Sequence, residues 1–281
     1  MGTSARFSPP AIALHREGDF EVEQLRARMD DFYARPMEYT AFDSVSDQRI
    51  FWDAVVKDIE RRALTSGAGK CRVLEFGAGR TGFSDFVGTL RRDIHFVAQD
   101  VTRINEEFLR SKCDEVYFGD VKEISGQFDV ILSTFVWEHV SAPMSSLRHL
   151  LGLLAPGGTL YLASPRYDFP FYLPPSARHY NAAGRLKLRL MLLLRRMAVM
   201  LGGPPDVLIH TDPAALSVPW YRDADAIHWV SRHDLPGIVG PDWVVERVPV
   251  SLSGLKGRFW ARFLLLSVRI RRSAIGLPPD S

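Results

Sequence analysis

The residues richest in chemistry in this chain are a glycine loop and the carboxylates that follow it. Leu74–Phe83 reads LEFGAGRTGF, with Gly77, Gly79 and Gly82 spaced as G-x-G-x-x-G. That spacing suits a dinucleotide pyrophosphate seated on a helix N-terminus. Glu75 stands two residues before the first glycine. It has no place in the dinucleotide pattern, because a carboxylate repels a pyrophosphate and attracts a ligand that carries a cationic amine. Asp100 ends the next apolar run, where its carboxylate can accept from both hydroxyls of a ribose. Asp120, in FGDV, offers an acceptor to the exocyclic amine of an adenine.

Extra carboxylates around a glycine loop favour a cationic, phosphate-free nucleoside, and S-adenosylmethionine is that ligand. The expected binding set takes Glu75, Phe76, Gly77, Ala78, Gly79 and Gly82 from the loop, Asp100 with Val101, and Asp120 with Val121. Ser133 and Thr134, which open STFVWEHV, complete it by lining the methionine part. Methyl transfer from a sulfonium is an in-line displacement in which alignment supplies much of the rate. A hydroxyl acceptor also needs a base to take its proton. His139 lies in the same segment with Glu138 beside it, and histidine ordinarily titrates near neutrality. His139 is expected to act as general base or to position the acceptor; the plainer alternative is a helix-start histidine bonded to the backbone. Arg166, Tyr167, His179 and Tyr180, with His228 and Trp229 further on, are either walls of an acceptor pocket or ordinary lid packing.

These residues need a frame to bring them together. Short apolar runs, CRVLEF, IHFVAQ, EVYF, FDVILS and TLYLAS, alternate with helical stretches near Gly82–Leu90, from about Arg103, and over Pro143–Leu154. Ser46–Thr65 has helical spacing as well, with Ser46 and Asp47 as its cap. Five apolar strands alternating with helices predict a parallel sheet covered on both faces. Ligands of such sheets gather outside the carboxyl ends of the strands at the switch point, so Gly77, Asp100, Asp120 and the segment after FDVILS should converge on one crevice. Beyond Pro165 the rhythm breaks, and residues 166–225 read as an inserted lid. The strand–helix pattern returns with SRHDLPGIV, where Ser231 and Asp234 suggest a capping box, and with DWVVERVPV. The final run, FWARFLLLSVRI, fits a strand or a helix.

VLEFGAGRTGF, VAQD, GDV, FDVILSTFVWEHV and LLAPGGTLYLASP, in that order, resemble the successive motifs of class I S-adenosylmethionine-dependent methyltransferases. The likeness is nearest to the small-molecule branch that includes ubiquinone-pathway and sugar methyltransferases. It covers roughly residues 45–165, and more loosely IHWVSRHDL to about Val250. It implies a Rossmann-like α/β fold with a seven-stranded, mostly parallel sheet and an antiparallel last strand. It also implies a lid built from an N-terminal arm (residues 1–44) and the insertion, on a methyltransferase domain spanning 45–281. The sequence departs from the family loop at Arg80–Thr81, which place the third glycine one residue later. Two other functions stay open at this point: an NAD-linked oxidoreductase, which Glu75 and the PGG segment oppose, and a non-catalytic relative that binds through its lid.

Bulk properties narrow the partners. With 35 Lys and Arg against 33 Asp and Glu, the net charge is +2, which gives no general reason to expect a nucleic acid. Two cysteines without metal-ligand spacing suit a reducing compartment and no metal site. The N-terminus lacks the apolar core of a signal peptide, so a cytoplasmic location is expected, with a small-molecule or glycan acceptor as partner. One segment stands apart. Residues 185–201 read RLKLRLMLLLRRMAVML, placing Leu186, Leu190, Leu193, Met197 and Met200 on one side of a helix and Arg185, Arg189 and Arg196 on another. Such a helix either docks on the domain with a solvated basic edge or touches an anionic membrane or a lipid-linked acceptor.

Overall fold

Strand β2 (Cys71–Phe76) explains the architecture from within, because its two sides bury into two different cores. Leu74 and Phe76 join one cluster, while Cys71 and Val73 join the other, as expected of a near-continuous apolar run in a parallel sheet. The computed structural model describes residues 13–33, 51–65, 69–205, 207–211, 226–229, 231–250 and 252–273. Parallel to β2 run β3 (Ile94–Asp100), β4 (Glu115–Phe118), β5 (Phe128–Thr134) and β6 (Leu154–Pro165). Two strands close the far edge, β8 (Trp243–Arg247) and β9 (Leu265–Arg272), and β9 is antiparallel to both neighbours. The sheet has seven strands in the order β4-β3-β2-β5-β6-β9-β8. Strand succession runs one way from β2 and the other way from β5, so the switch point lies between their carboxyl ends.

Helices cover both faces. On one side α5 (Pro143–Gly152) and α7 (Leu235–Val239) bring Leu147, Leu150, Leu235 and Ile238 onto Leu74, Ile131, Leu160 and Leu162. On the other, α2 (Trp52–Thr65) and the short α3 (Phe83–Phe86) bring Trp52, Val55, Ile59 and Phe83 onto Val73, Phe96 and Val130. Ser46, Asp47 and Ile50, expected at the start of α2, lie outside the described residues.

Several expected boundaries move. The helix expected to run to Leu90 stops at Phe86 and gives way to a 3₁₀ turn over Gly88–Asp93. The helix expected from Arg103 starts as α4 (Glu106–Lys112), since Asp100 draws the Thr102 N–H onto its carboxylate at 3.1 Å and keeps the intervening residues in a loop. Ser231 does not cap α7 directly: its hydroxyl accepts from His233 N, its own N–H donates to Asp234, and the helix begins after Asp234. FWARFLLLSVRI is both helix and strand. A helical turn over Trp260–Leu264 extends α8 (Gly254–Phe259), and β9 takes over at Leu265 where it pairs with β6.

The N-terminal segment folds back over the carboxyl end of the sheet. Strand β1 (Ala13–His15) pairs antiparallel with β7 (Ile209–Thr211) of the insertion. Helix α1 (Phe20–Tyr33) follows and buries Val22, Leu25, Met29 and Phe32 against Ile209 and Ile227. Between them Glu17 reaches α5, where its carboxylate accepts from the N–H groups of Met144 at 2.7 Å and Ser145 at 3.0 Å. The residue before α5, Ala142, has no side chain that could cap it, so a glutamate 127 residues away in sequence satisfies those donors.

Candidate active site

The carboxyl ends of β2, β3, β4 and β5 open into one crevice, roofed by α1. It encloses about 1030 Å³ of space, part of it open to solvent. Of the residues expected in the binding set, Phe76, Gly77, Gly79, Asp100, Val101, Asp120 and Val121 line it together with His139. Glu75, Ala78, Gly82, Ser133 and Thr134 do not form its walls.

Hydrogen bonds fix the loop. Gly77 N donates to the Gln99 side-chain carbonyl at 3.2 Å, and the other end of that amide donates to Gly119 O at 2.7 Å. Gly79 N donates to Asp100 at 2.7 Å, and Ala78 N to Gln99 O at 2.8 Å. Gly77 needs to be glycine for two separate reasons. Its φ is +71°, and a Cβ there would come within 2.9 Å of Val136 Cβ, with both Val136 methyls closer still. Gly82, the displaced third glycine, precedes α3 with φ −97°, a conformation open to any residue.

The carboxylates have unequal surroundings. Burial pushes Asp100 up, opposed by the N–H groups of Thr102, Gly79 and Val101. Burial also works to raise Asp120, but the Lys122 N–H and the Arg26 guanidinium prevail and hold it below the usual carboxylate range. Arg26 comes from α1 and meets Asp120 at 2.5 Å, at the position where an adenine amine was expected. Asp30, one helical turn further along α1, also lines the crevice and is pushed up chiefly by burial.

Glu75 lies beneath the loop, 4% exposed. Burial pushes it up to about 8, with Thr81 as an opposing hydrogen-bond partner. An acid held protonated in the fold makes stability fall as pH rises, because the unfolded chain releases over this range a proton that the folded chain keeps. Between its usual 4.5 and about 8, stability is expected to fall by at most ~1.4 kcal/mol per pH unit from this group. Urea unfolding at several pH values should show that slope flattened in Glu75→Gln. An unchanged slope in the variant would assign the pH dependence elsewhere.

After β5 the chain turns sharply. Phe135 has φ +56°, the one non-glycine in the left-handed region among the described residues, and both it and Val136 line the crevice. Such a conformation costs about 1–3 kcal/mol and gathers at functional sites. The next turn, Trp137–His139, sets the His139 imidazole on the wall with Glu138 behind it. Glu138 Oε1 lies 3.7 Å from His139 Nε2, close enough to stabilise a charged imidazolium. The other oxygen of Glu138 accepts from Ser164 Oγ at 3.0 Å, and its backbone carbonyl accepts from Ile227 N at 2.9 Å.

The aromatic candidates fall elsewhere. Tyr167, Tyr180 and Trp229 pack with Leu188 and Leu192 in the core of the insertion. Arg166 is buried in a two-pronged ion pair with Asp168. His228 Nε2 donates to Trp137 O behind the wall, and burial pushes its pKa down to about 3, so it is neutral there. The side chain of His179 lies outside the described residues. Among the crevice residues that sequence reasoning missed are Gln99, Phe135 and the α1 group Arg26, Met29, Asp30 and Tyr33. Gln99 and Phe135 had a signal, their places in VAQD next to Asp100 and in STFVWEHV.

A mostly parallel seven-stranded sheet with an antiparallel β9, and a crevice at its switch point beside a glycine loop, define an S-adenosylmethionine-dependent methyltransferase of class I. The sequence model of the methyltransferase domain family matches residues 25–238, and the chain belongs to that family. No curated protein matches the chain. Among solved structures, the plantazolicin methyltransferase BpumL in complex with SAH aligns over 90% of this chain and 96% of its own, at 13% identity and TM-score 0.53. The Burkholderia thailandensis 1,6-didemethyltoxoflavin-N1-methyltransferase aligns over 93% and 95%, at 14% identity and TM-score 0.48. At such identity the first of these is a likeness of fold.

Proposed function

We propose that the chain transfers the methyl group of S-adenosylmethionine to a hydroxyl or amine of a small-molecule or glycan acceptor. The observation that carries this reading is the meeting of the Gly77 loop, Asp100, Asp120 and His139 in one crevice. The crevice suits the cofactor chemically: among the described residues Asp30, Asp100 and Asp120 face it against the guanidinium of Arg26, a balance that favours a cationic ligand. The buried hydroxyls of Ser133 and Thr134, just before Phe135 of the wall, have no hydrogen-bond partner among the described residues.

Bound there, the sulfonium supplies an activated methyl group. The remaining work belongs to the chain. Asp100 and the loop amides fix the nucleoside end, and α1 with Phe135 and Val136 limits access of water. His139 accepts the acceptor's proton, with Glu138 orienting the ring and Ser164 holding Glu138. Residues 13–33 and the insertion from 166 act as two halves of one lid. A peripheral membrane contact through 185–201 fits a lipid-linked form of the acceptor.

Isothermal calorimetry tests the cofactor. The wild-type chain should give heat with S-adenosylmethionine or its demethylated product, and Asp100→Ala should lose it. Heat with NAD, or with neither ligand, would overturn the reading.

A further inference from the structure

The basic helix of the insertion sits with its apolar side outward. In α6 (Ala182–Met200) the docked residues are Leu188 and Leu192. Leu186, Leu190, Leu193, Leu194, Met197 and Met200, with Leu201 just beyond, occupy an arc of about 120° on the opposite side. Each is between 43% and 85% exposed. A lid helix held by its apolar stripe would show the reverse.

A second segment presents the same chemistry. Leu255, Phe259 and Phe263 of the α8 region are exposed, and so is Phe171. Contacts join the segments: Phe171 packs on Phe169, Arg196 of α6 lies over the Phe169 ring, and Trp260 donates to the Tyr172 hydroxyl at 3.2 Å. Residues 182–200 and 254–263 together hold eight lysines and arginines and no acid. Trp260 also packs against Phe135, which lines the crevice, so this surface borders the mouth of the candidate active site.

We propose that the outward face of α6 and the α8 region form one surface that docks on an anionic lipid bilayer, beside the entrance to the crevice. Charge decides the occupant. A second copy of the chain placed on this face would bring two cationic flanks together, whereas anionic headgroups neutralise them while the apolar arc enters the acyl boundary. The inference deepens the methyl-transfer reading by giving the acceptor a lipid environment, and rests on it only for what enters the crevice.

The test is co-sedimentation of the full chain with vesicles of phosphatidylcholine alone or with about a third phosphatidylglycerol. Binding is expected to the anionic vesicles, to be released by high salt, and to fall about tenfold or more in Leu190→Glu/Met197→Glu. Light scattering should find the same oligomeric state in wild type and double variant, and calorimetry the same cofactor heat. Failure to bind anionic vesicles would overturn the proposal, as would a dimer that the double variant dissociates. Loss of the cofactor heat in the wild-type chain would instead strike the methyl-transfer reading, so the two failures are distinguishable.

Discussion

Gly77→Ala is expected to abolish measurable binding of S-adenosylmethionine and its demethylated product, an affinity loss of about a hundredfold or more. An alanine held at φ +71° costs about 1–2 kcal/mol in the left-handed region. The new methyl would also meet the whole Val136 side chain, the nearest backbone-attached carbon being 2.9 Å away. Val136 cannot retreat easily, since Phe135 before it is in a left-handed conformation and Trp137 after it is fully buried. The loop moves instead, and with it the N–H groups that meet Gln99 and Asp100. Gly79→Ala is the internal control. Its φ is +54°, but nothing lies within 4 Å of the added carbon, so it carries the conformational cost without the collision. Calorimetry on the pair separates the two effects; equal affinities would remove the argument from Val136.

The second large effect concerns turnover. Replacing His139 by alanine should slow methyl transfer by about 100-fold or more, the range for loss of a general base, while affinity for the demethylated cofactor stays within about twofold. The imidazole stands on the crevice wall, whereas the loop and Asp100, to which the proposed function assigns the nucleoside end, are held together by the Gly79–Asp100 bond independently of it. Release of demethylated cofactor with any acceptor that the wild-type chain methylates is the readout. Glu138→Gln should give a smaller loss, because it keeps the shape behind the ring and removes only the charge 3.7 Å from it. Wild-type turnover in His139→Ala would return His139 to a structural role.

The strands were legible because strands buried on both faces are written as unbroken apolar runs. CRVLEF and IHFVAQ show that burial, whereas EVYF, at the sheet edge, is half-buried throughout and was legible from its β-rich composition. FWARFLLLSVRI was ambiguous because its apolar residues satisfy both periods; only pairing with β6 and β8 decides where strand begins. The convergence of Asp100, Asp120, Gly77 and Gly79 on one crevice could be read because the carboxyl ends of adjacent strands meet at the switch point, whereas Gly82 lies off its walls. Glu75 was legible as a signal of ligand class, yet the fold places it under the loop, which spacing could not reveal. The α1 contribution to the crevice was invisible, since Arg26 reaches Asp120 across 94 positions and no local pattern announces it. For α6, periodicity separated the apolar side from the basic one but could not tell which side would dock.

The arm that carries Glu17 and Arg26 is fastened at two places, one of them on the crevice wall. Asp120 is held by the Arg26 guanidinium, and in the proposed binding mode the amine of a nucleoside would compete for it. The segment that supplies Arg26 also supplies Glu17, the cap of α5. A ligand that takes Asp120 for itself loosens one tether of the arm, while the Glu17 cap and the β1–β7 pairing still hold it. In that binding mode the arrival of the nucleoside would be coupled to how firmly the arm is held, so that substitutions at Glu17, far from the chemistry, would alter ligand residence time.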